Sequence, residues 1–363
     1  MARKLELLAT LWPSFPHFQQ FAHDKRLAGV RLNSAMIDNA ELATEIALLR
    51  DHPSGVPLYF DIKGRQLRVT EWHKNPAYLD ISINHPISVP TPIRVFFKAG
   101  NDNALLERLE DGGKRLIFRG GPQYEVRPGE SLHVRHPSLK VFGNTFTTTE
   151  LEKIDQVHRA GFSRYFLSYA EAQRDVDQLL ELVGRNSEIM IKIENKVGLE
   201  YARNFRKRPN LRLVAARGDL FIELDRPHHM MDALKLIIQK DPEACVGSRM
   251  FLSVAQPLVA EIKRALLKLE HRELTRAHID SLMHDLMEPQ DPSCADFLEL
   301  AWLYDIGYRS MMLCDEICLK EELLDTAIGA FESFRKAYAP VDPLRTSSRF
   351  EFLRSMWRPR LAE

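Results

Sequence analysis

Short apolar runs alternate along this chain with longer amphipathic stretches. Eight runs have the length and apolar content of buried strands: 5–11, 29–33, 57–63, 164–168, 188–194, 211–219, 244–248 and 309–316. The stretches between them, such as 39–52, 170–184, 228–241 and 294–307, carry apolar residues at intervals of three and four, as helices do that pack one face on a core. Since each buried parallel strand needs a crossover helix to reach the next, the alternation predicts an α/β fold, a (β/α)8 TIM barrel.

The alternation is interrupted once, between the third and fourth predicted strands. Residues 65–150 contain short runs in which apolar and polar positions alternate, separated by Gly- and Pro-containing turns such as 111–114 and 127–130. This pattern predicts a small antiparallel β-barrel inserted after strand 3. We therefore expect a catalytic barrel formed by residues 1–64 and 151–340, an inserted lid domain of residues 65–150 and an amphipathic C-terminal tail of residues 341–363.

Composition excludes several classes of protein. Fifty Lys and Arg balance fifty Asp and Glu, so the chain lacks the positive charge that nucleic-acid or anionic-membrane binding requires. No run of eighteen apolar residues occurs, which argues against a membrane-spanning helix. Four cysteines are too few for a disulfide scaffold, and no targeting segment is recognised. We expect a cytoplasmic protein that binds neither nucleic acid nor membrane.

Polar residues follow the predicted strands where barrel enzymes place their functional groups. These residues are Arg31, Asn33, Asp61, Lys63, Lys192, Glu194, Arg217, Gly218, Asp219, Ser248, Arg249, Asp315 and Glu316. Rings of ion pairs inside barrels give similar clusters, so each of these residues also has an alternative interpretation as part of an ion pair that only stabilises the barrel. Because six strand ends converge on one mouth, a functional site is the stronger interpretation.

The carboxylates of Glu194 and Asp219 follow neighbouring strands, and two such groups can hold one Mg²⁺ or Mn²⁺ while substrate or water oxygens complete its shell. Lys192 lies two residues before Glu194 and so points to the same side of its strand. Together with Arg31 it would form a cationic clamp suited to a phosphoryl group or an enolate. The backbone at Gly218 can come close to a ligand carboxylate.

Seven collinear segments resemble the pyruvate kinase family. They are ATLWPS (9–14), GVRLNSAM (29–36), FDIKGRQLR (60–68), MIKIENKVGLE (190–200), VAARGDLFIE (214–223), VGSRMF (246–251) and MMLCDEIC (311–318). The fourth and fifth are the most specific, since they resemble the family's K-I-E-N-x-x-G and A-R-G-D-L-G segments. The resemblance spans about residues 9–335 and places residues 65–150 where that family has its lid-like B domain.

The resemblance implies transfer of a phosphoryl group between phosphoenolpyruvate and ADP, with a divalent metal. Glu194 and Asp219 match the family's metal ligands, and Lys192 matches the lysine that stabilises the phosphoryl group in transfer. Arg31 matches an arginine that contacts phosphate. Such chemistry consists mainly of electrostatic positioning.

Further site residues are implied in the same way. The nucleotide site would include Arg68, Arg31 and Lys63. The amides around Gly218 and Asp219 match the substrate-carboxylate site, and the neighbouring Arg217 and Arg249 are assigned to it as well. Ser248 takes the place of a threonine near the enolate carbon and would deliver a proton.

Several positions depart from the family's pattern. Asn33 and Asp61 match two ligands of its monovalent-cation site, but Ala35 replaces the serine ligand and Gln66 replaces a nearby glutamate, so the sequence argues against an intact K⁺ site. Residues 292–296 lack the arginine of a segment that contacts the neighbouring subunit in the family, which leaves a homo-oligomer an open question. We also expect no counterpart of the family's C-terminal effector domain.

Two alternatives stay open. One is a metal-dependent enzyme that acts on a different 2-oxo acid through its enolate, as a lyase, aldolase or decarboxylase does; Arg249 adds a cation that could accept a second acidic group. The other is a non-catalytic protein related to pyruvate kinases that binds a ligand or partner, an interpretation motivated by Trp12 and Phe221 at positions where the family has glycine.

Overall fold

The computed structural model describes residues 4–74, 78–123, 125–247, 249–255 and 290–338 of the chain. Ser248 and the predicted tail of residues 341–363 lie outside this range. In the described part, strands are numbered β1 to β16 and helices α1 to α10 in chain order.

Eight parallel strands of the described residues close into a barrel. They are β1 (Glu6–Thr10), β2 (Gly29–Asn33), β3 (Leu58–Ile62), β12 (Arg164–Leu167), β13 (Glu188–Ile193), β14 (Leu211–Ala216), β15 (Cys245–Gly247) and β16 (Ser310–Met312). Each pairs with the next along the chain, and β16 pairs with β1 to complete the ring. The predicted α/β fold with a (β/α)8 barrel is confirmed.

Helices surround the barrel on its outer side. They are α1 (Phe18–Phe21), α2 (Asn39–Asp51), α3 (Thr148–Arg159), α4 (Gln173–Val183), α5 (Lys196–Arg203), α6 (Arg217–Glu223), α7 (His229–Lys240), α8 (Cys294–Ile306), α9 (Asp315–Cys318) and α10 (Glu321–Ala337). Local sequence sets several boundaries: Asp38 forms a capping box with Glu41 at the start of α2, and Gly307 follows α8 with a φ of 121°.

The barrel strands bury side chains on both faces. Toward the helices, residues such as Tyr165 and Leu167 join the main apolar core. Inside the barrel, a separate cluster is formed by Leu8, Tyr59, Phe166, Met190, Val214, Cys245 and Met312. The rings of Tyr59 and Phe166 meet edge to face there, with centroids 5.5 Å apart. The barrel is therefore a filled core, and its strand ends are held in fixed positions.

The segment after β3 forms a β domain of its own. Its strands are β4 (Val69–Trp72), β5 (Asp80–Ile83), β6 (Ile87–Ser88), β7 (Ile93–Phe97), β8 (Asp102–Glu110), β9 (Arg115–Arg119), β10 (His133–Val134) and β11 (Lys140–Val141). Six of the described strands make an antiparallel sheet in the order β10-β7-β8-β9-β5-β4, and β6 pairs with β11.

This sheet curls until its two edges meet. Backbone bonds from Val69 N to Glu130 O (2.9 Å) and from Leu132 N to Leu67 O (3.1 Å) flank a bridge between Arg68 and Ser131. The curled sheet encloses its own apolar core, in which the rings of Phe97 and Phe118 lie 5.7 Å apart. The predicted insertion after strand 3 is thus observed as a curled β domain.

The inserted domain contacts the barrel at α6. Strand β10 and the turn Lys98–Gly100 both pack against that helix, which follows β14 at the C-terminal mouth of the barrel. A methyl group built on Gly100 would lie 3.2 Å from Ile222 Cγ1, so the two domains are close packed here. Among the described residues, no helix combines the length and the apolar character needed to cross a bilayer.

Filling of the barrel interior should contribute to stability. We predict that Phe166→Ala lowers the free energy of unfolding by about 3–5 kcal/mol, because Phe166 is fully buried and its removal leaves a cavity inside the ring of strands. The measurement is urea denaturation followed by circular dichroism. Leu298→Ala on the exposed face of α8 is the control, with an expected change below about 0.5 kcal/mol; equal losses for the two variants would contradict the assignment.

Candidate active site

The C-terminal ends of the strands enclose a small polar cavity of about 160 Å³. Its lining comprises Arg31, Asn33, Lys63, Gln66, Arg68, Ser131, Lys192, Glu194, Asp219, Met312, Leu313, Cys314 and Asp315. Most of these residues were predicted from strand ends, and Ser131 comes from the inserted domain. The cavity therefore lies between the barrel mouth and the lid.

Asp61, at the end of β3, is the centre of charge in this region. Its side chain is fully buried, and its Oδ2 lies 2.7 Å from Arg31 Nε, 3.1 Å from Lys63 Nζ and 3.4 Å from Lys192 Nζ. Its Oδ1 accepts a hydrogen bond from Ser168 Oγ at 3.0 Å. Burial opposes ionisation of Asp61, but the positive charges of Lys192, Lys63 and Arg31 hold its pKa well below the usual carboxyl value.

Lys192 links Asp61 to the predicted metal ligands. Its Nζ lies 2.9 Å from Glu194 Oε1 and donates to Ser168 Oγ at 2.8 Å. Burial works against the charged ammonium, yet the carboxylates of Asp61 and Glu194 raise the pKa of Lys192 above its ordinary value. Lys192 is therefore a permanent cation facing the cavity. The neighbouring Lys63 differs, since burial lowers its pKa to about 7 against the attraction of Asp61.

Glu194 and Asp219 face the cavity together, as predicted. Tyr169 N donates to Glu194 Oε2 at 2.7 Å, whereas the buried Oε1 accepts no hydrogen bond of regular geometry. Burial and the nearby charge of Asp219 raise the pKa of Glu194 to about 7, although Lys192 opposes the shift. For Asp219, burial is outweighed by the charges of His133 and Lys192, which lower its pKa.

A chain of contacts joins the lid to these carboxylates. His133 of β10 lies with Nδ1 2.8 Å from Glu223 Oε1 and 3.0 Å from the hydroxyl of Tyr169, and with Nε2 3.5 Å from Asp219 Oδ1. Burial disfavours a charged imidazole, but Glu223 and Asp219 raise the pKa of His133. Tyr169 has a φ of 50°, a conformation that costs a non-glycine residue energy. In this conformation the amide of Tyr169 donates to Glu194, and its hydroxyl contacts His133 of the lid.

No sequence pattern singled out His133, Tyr169 or Glu223. His133 occupies a polar position between Leu132 and Val134, which face the core of the inserted domain, and its contacts join residues 36 and 90 positions apart. The alternation of apolar and polar residues by itself predicts an outward-facing polar side chain at this position, so it gave no sign of a contact with the barrel.

Arg31 meets a second acidic group. Its Nη1 lies 3.4 Å from Asp315 Oδ2, and Asn33 Nδ2 donates to both oxygens of Asp315 at 3.2 and 3.3 Å. Asp315 was recognised as a strand-end residue without a role. Arg68 lines the opposite side, where its guanidinium donates to Gln66 Oε1 and to Gly129 O of the lid.

Three residues that were predicted to bind substrate do not line the cavity: Arg217, Gly218 and Arg249. Arg217 Nη1 donates to Glu299 of α8 and its Nε to Gly247 O, so the guanidinium is directed toward neighbouring elements. The guanidinium of Arg249 lies over the ring of Phe221, 5.2 Å from its centroid. Gly218, in the first turn of α6, is also not part of the cavity lining among the described residues.

The donor set of the cavity suits a divalent ion. Glu194 and Asp219 supply carboxylate oxygens, of which Glu194 Oε1 also lies 2.9 Å from Lys192 Nζ, and Mg²⁺ is commonly held by two carboxylates plus substrate or water oxygens. In the described part of the chain, no three acidic, histidine or cysteine side chains are arranged to hold a metal ion by themselves. Substrate or water oxygens would therefore complete the coordination.

Metal affinity should depend on pH through Glu194. Binding requires the carboxylate form, and the pKa of Glu194 is raised to about 7. Mn²⁺ is therefore expected to bind about tenfold more tightly at pH 8 than at pH 6. Electron paramagnetic resonance of free Mn²⁺ measures this. Glu194→Gln should weaken binding and reduce the pH effect, and equal affinity of the wild-type protein at both pH values would refute this role of Glu194.

Comparison with known proteins agrees with this geometry. No family model matches the chain. A pyruvate kinase of Thermoplasma acidophilum is 25% identical over 240 residues, which cover 61% of this chain and 43% of that protein. The chain thus matches less than half the length of this curated relative. Together with the barrel and its inserted β domain, this weak homology confirms the resemblance of the seven segments: the chain is similar, at a distance, to a pyruvate kinase.

Proposed function

We propose that the chain is a phosphotransferase of the pyruvate kinase type, which moves a phosphoryl group from phosphoenolpyruvate to ADP with Mg²⁺. The observation that supports this most directly is the position of Lys192 between Asp61 and Glu194, at a cavity that Asp219 also lines. A permanent cation beside two carboxylates suits the charge that develops during phosphoryl transfer.

Glu194 and Asp219 would hold the divalent ion, Mg²⁺ or Mn²⁺. When bound, it would neutralise charge on the phosphoryl group and on the enolate oxygen. The role of the protein is to keep both carboxylates facing the cavity. Tyr169 N fixes Glu194, and His133 faces Asp219.

The cations of the cavity would bind and orient the phosphates. Lys192 and Arg31 would contact the group in transfer, and Lys63 and Arg68 the nucleotide phosphates. The bond between phosphorus and the enol oxygen breaks, and an oxygen of the ADP β-phosphate forms the new bond. The enolate then takes a proton at its terminal carbon, a step that we assign to the hydroxyl of Ser248, and pyruvate is released.

The inserted domain would exclude water during the reaction. His133 of the lid contacts Glu223 and Asp219 of the barrel, so the lid is joined to the barrel beside the cavity. Closure of this kind strengthens electrostatic interactions and limits hydrolysis of the phosphoryl donor. The expected ligands are small molecules, and we place the protein in the cytoplasm.

Lys192 provides the test of catalysis. We expect Lys192→Met to lower kcat for ATP formation by about 10²–10³, because the charge that stabilises the transferring group is lost. The assay couples pyruvate formation to lactate dehydrogenase, with Mg²⁺ present. Lys196→Met removes a half-exposed lysine from α5 and should leave kcat unchanged. Absence of ATP formation by the wild-type protein under all conditions would refute the proposed function.

A second candidate function is favoured by the pairing of Arg31 with Asp315. A phosphate that approaches Arg31 must displace this resident carboxylate. The lining residues Arg31, Lys63, Arg68 and Lys192 are balanced by Asp315, Glu194, Asp219 and the buried Asp61, and the cavity of about 160 Å³ suits a small acid better than a nucleotide. This combination supports metal-dependent chemistry on the enolate of a 2-oxo acid without phosphoryl transfer.

Exchange of carbon-bound protons distinguishes the two functions. An enolate enzyme with this site should exchange the C3 protons of a 2-oxo acid for deuterium in D₂O with Mg²⁺ and no nucleotide, as followed by NMR. Exchange without any ATP formation would favour the second function. ATP formation from phosphoenolpyruvate and ADP would establish the first.

A further inference from the structure

A second polar cavity lies at the opposite end of the barrel from the candidate active site. It has a volume of about 240 Å³, and its lining consists of Lys4, Glu6, Arg212, Glu243, Arg309 and Ser310. We propose that this cavity, named the basal cavity, binds a phosphate group, either as inorganic phosphate or as the monoester of a small molecule.

The starts of the barrel strands form the basal cavity. Glu6 and Ser310 are the first residues of the paired strands β1 and β16, and Arg212 is the second residue of β14. Side chains two positions apart lie on one face of a strand. Two positions further along, these faces carry members of the apolar cluster inside the barrel: Leu8, Met312 and Val214. Glu6, Ser310 and Arg212 therefore form a polar layer below the apolar one.

Two cations of the basal cavity, Lys4 and Arg309, pair with no carboxylate of the described residues. Lys4 is exposed. Arg309 Nη1 donates to the carbonyls of Tyr304 and Tyr308 at 2.7 and 2.8 Å, and its guanidinium carbon lies 3.7 Å from the centroid of the Tyr304 ring. These contacts fix the side chain through one nitrogen, so the donors of its other two nitrogens remain for a ligand.

Arg212 lies near two carboxylates without a regular hydrogen bond to either. Its Nη1 is 3.6 Å from Glu6 Oε2, and its Nε is 3.8 Å from Glu188 Oε1. Glu188 already accepts the hydroxyl of Tyr59 at 3.3 Å and lies 3.5 Å from Arg164 Nε. Because a guanidinium presents a planar fork of donors that matches phosphate oxygens, Arg212 can bind a phosphate without breaking a close contact.

Ser310 adds a buried hydroxyl to this layer. The residue is 4% exposed, and its Oγ has no regular hydrogen-bond partner in the described part of the chain. The hydroxyl lies near the thiol of Cys245 on the neighbouring strand, and a thiol sulfur is a weak acceptor. A buried polar group without a good partner costs free energy, which an oxygen of a ligand would recover.

The two carboxylates of the lining leave room for an anion. Glu243 Oε2 lies 2.8 Å from Lys207 Nζ, and the side chain of Glu6 is 43% exposed, so it can turn toward solvent. Three cations against two carboxylates give the lining a net positive charge, which attracts an anion. Guanidinium, ammonium and hydroxyl donors suit the three terminal oxygens of a phosphate better than the two of a carboxylate.

The first test locates a heavy analogue of phosphate in crystals of the wild-type protein. Tungstate is a tetrahedral dianion, and anomalous scattering identifies the metal atom. We expect tungstate between Arg212 and Arg309, with an oxygen within hydrogen-bond distance of Ser310 Oγ. Tungstate bound only at the barrel mouth or only on the outer surface would overturn the proposal.

The second test measures binding in solution by isothermal titration calorimetry with inorganic phosphate and with glycerol 3-phosphate. The titrations use Lys192→Met protein without Mg²⁺, in which phosphate binding at the barrel mouth is weakened. Adding Arg212→Met should lower both affinities by about fivefold or more, because the phosphate loses its fork of donors. Arg203→Met, which removes a half-exposed arginine of α5, is the control and should change them less than about twofold.

The two ligands distinguish the sources of the phosphate group. Tighter binding of glycerol 3-phosphate would identify a phosphorylated small molecule as the ligand, and tighter binding of inorganic phosphate would identify the ion itself. Equal affinities of the Arg212→Met and Arg203→Met proteins would refute the proposal. If Arg212→Met does not fold, Lys4→Met replaces it, because Lys4 is exposed; an unchanged affinity in that variant would also refute the site.

These outcomes do not depend on ATP formation. A protein that makes no ATP but binds phosphate in the basal cavity would refute the proposed function and leave this inference standing. A protein that makes ATP but binds phosphate only at the barrel mouth would do the reverse.

Discussion

A single buried carboxylate, Asp61, holds the cations of the candidate active site together. Arg31, Lys63 and Lys192 come from three strands and would repel one another without it. Isolated buried charges are costly, and loss of one partner of a buried pair typically destabilises a protein by about 3–5 kcal/mol. The positions of three of the four phosphate-binding groups proposed for this site therefore depend on one oxygen atom at the end of β3.

The barrel brings the ends of its strands to one place, so the buried carboxylate and its cations lie close enough to offset the cost of burying their charges. Its filled interior fixes the strand register, and Ser168 adds a hydroxyl that donates to Asp61 and accepts from Lys192. The same cluster limits what the cavity can bind. Its positive charges are matched by acidic groups, so a ligand must either bring a divalent ion with it or displace Asp315 from Arg31.

Much of the fold was predictable from the sequence, because a buried parallel strand and its crossover helix each leave a clear periodicity. The insertion was predictable for the same reason, because the spacing of apolar residues changes there from the helical period of 3.6 to the strand period of 2. Lys192, Glu194 and Asp219 meet as predicted, since they follow strands whose ends must converge. Arg217 and Arg249 were assigned to the same site, but the position of a strand end does not determine which neighbour a long side chain reaches.

Contacts between distant segments were not predictable. The contact of His133 with Glu223 depends on how the lid sits on α6, and the bonds from Lys153 to the loop after β2 depend on the packing of α3. Nothing local in the sequence specifies either. Asp315 shows a related limit: it was recognised as a strand-end acid, but its pairing with Arg31 and Asn33 requires the closure of the barrel between β16 and β1.

The most direct test of the proposed site is a crystal structure with Mn²⁺ and oxalate, with the ion located by anomalous scattering. The geometry predicts one Mn²⁺ in contact with Glu194 and Asp219, with oxalate completing its coordination beside Lys192. Oxalate in the cavity without Mn²⁺ at these two carboxylates, or Mn²⁺ bound only elsewhere, would contradict it.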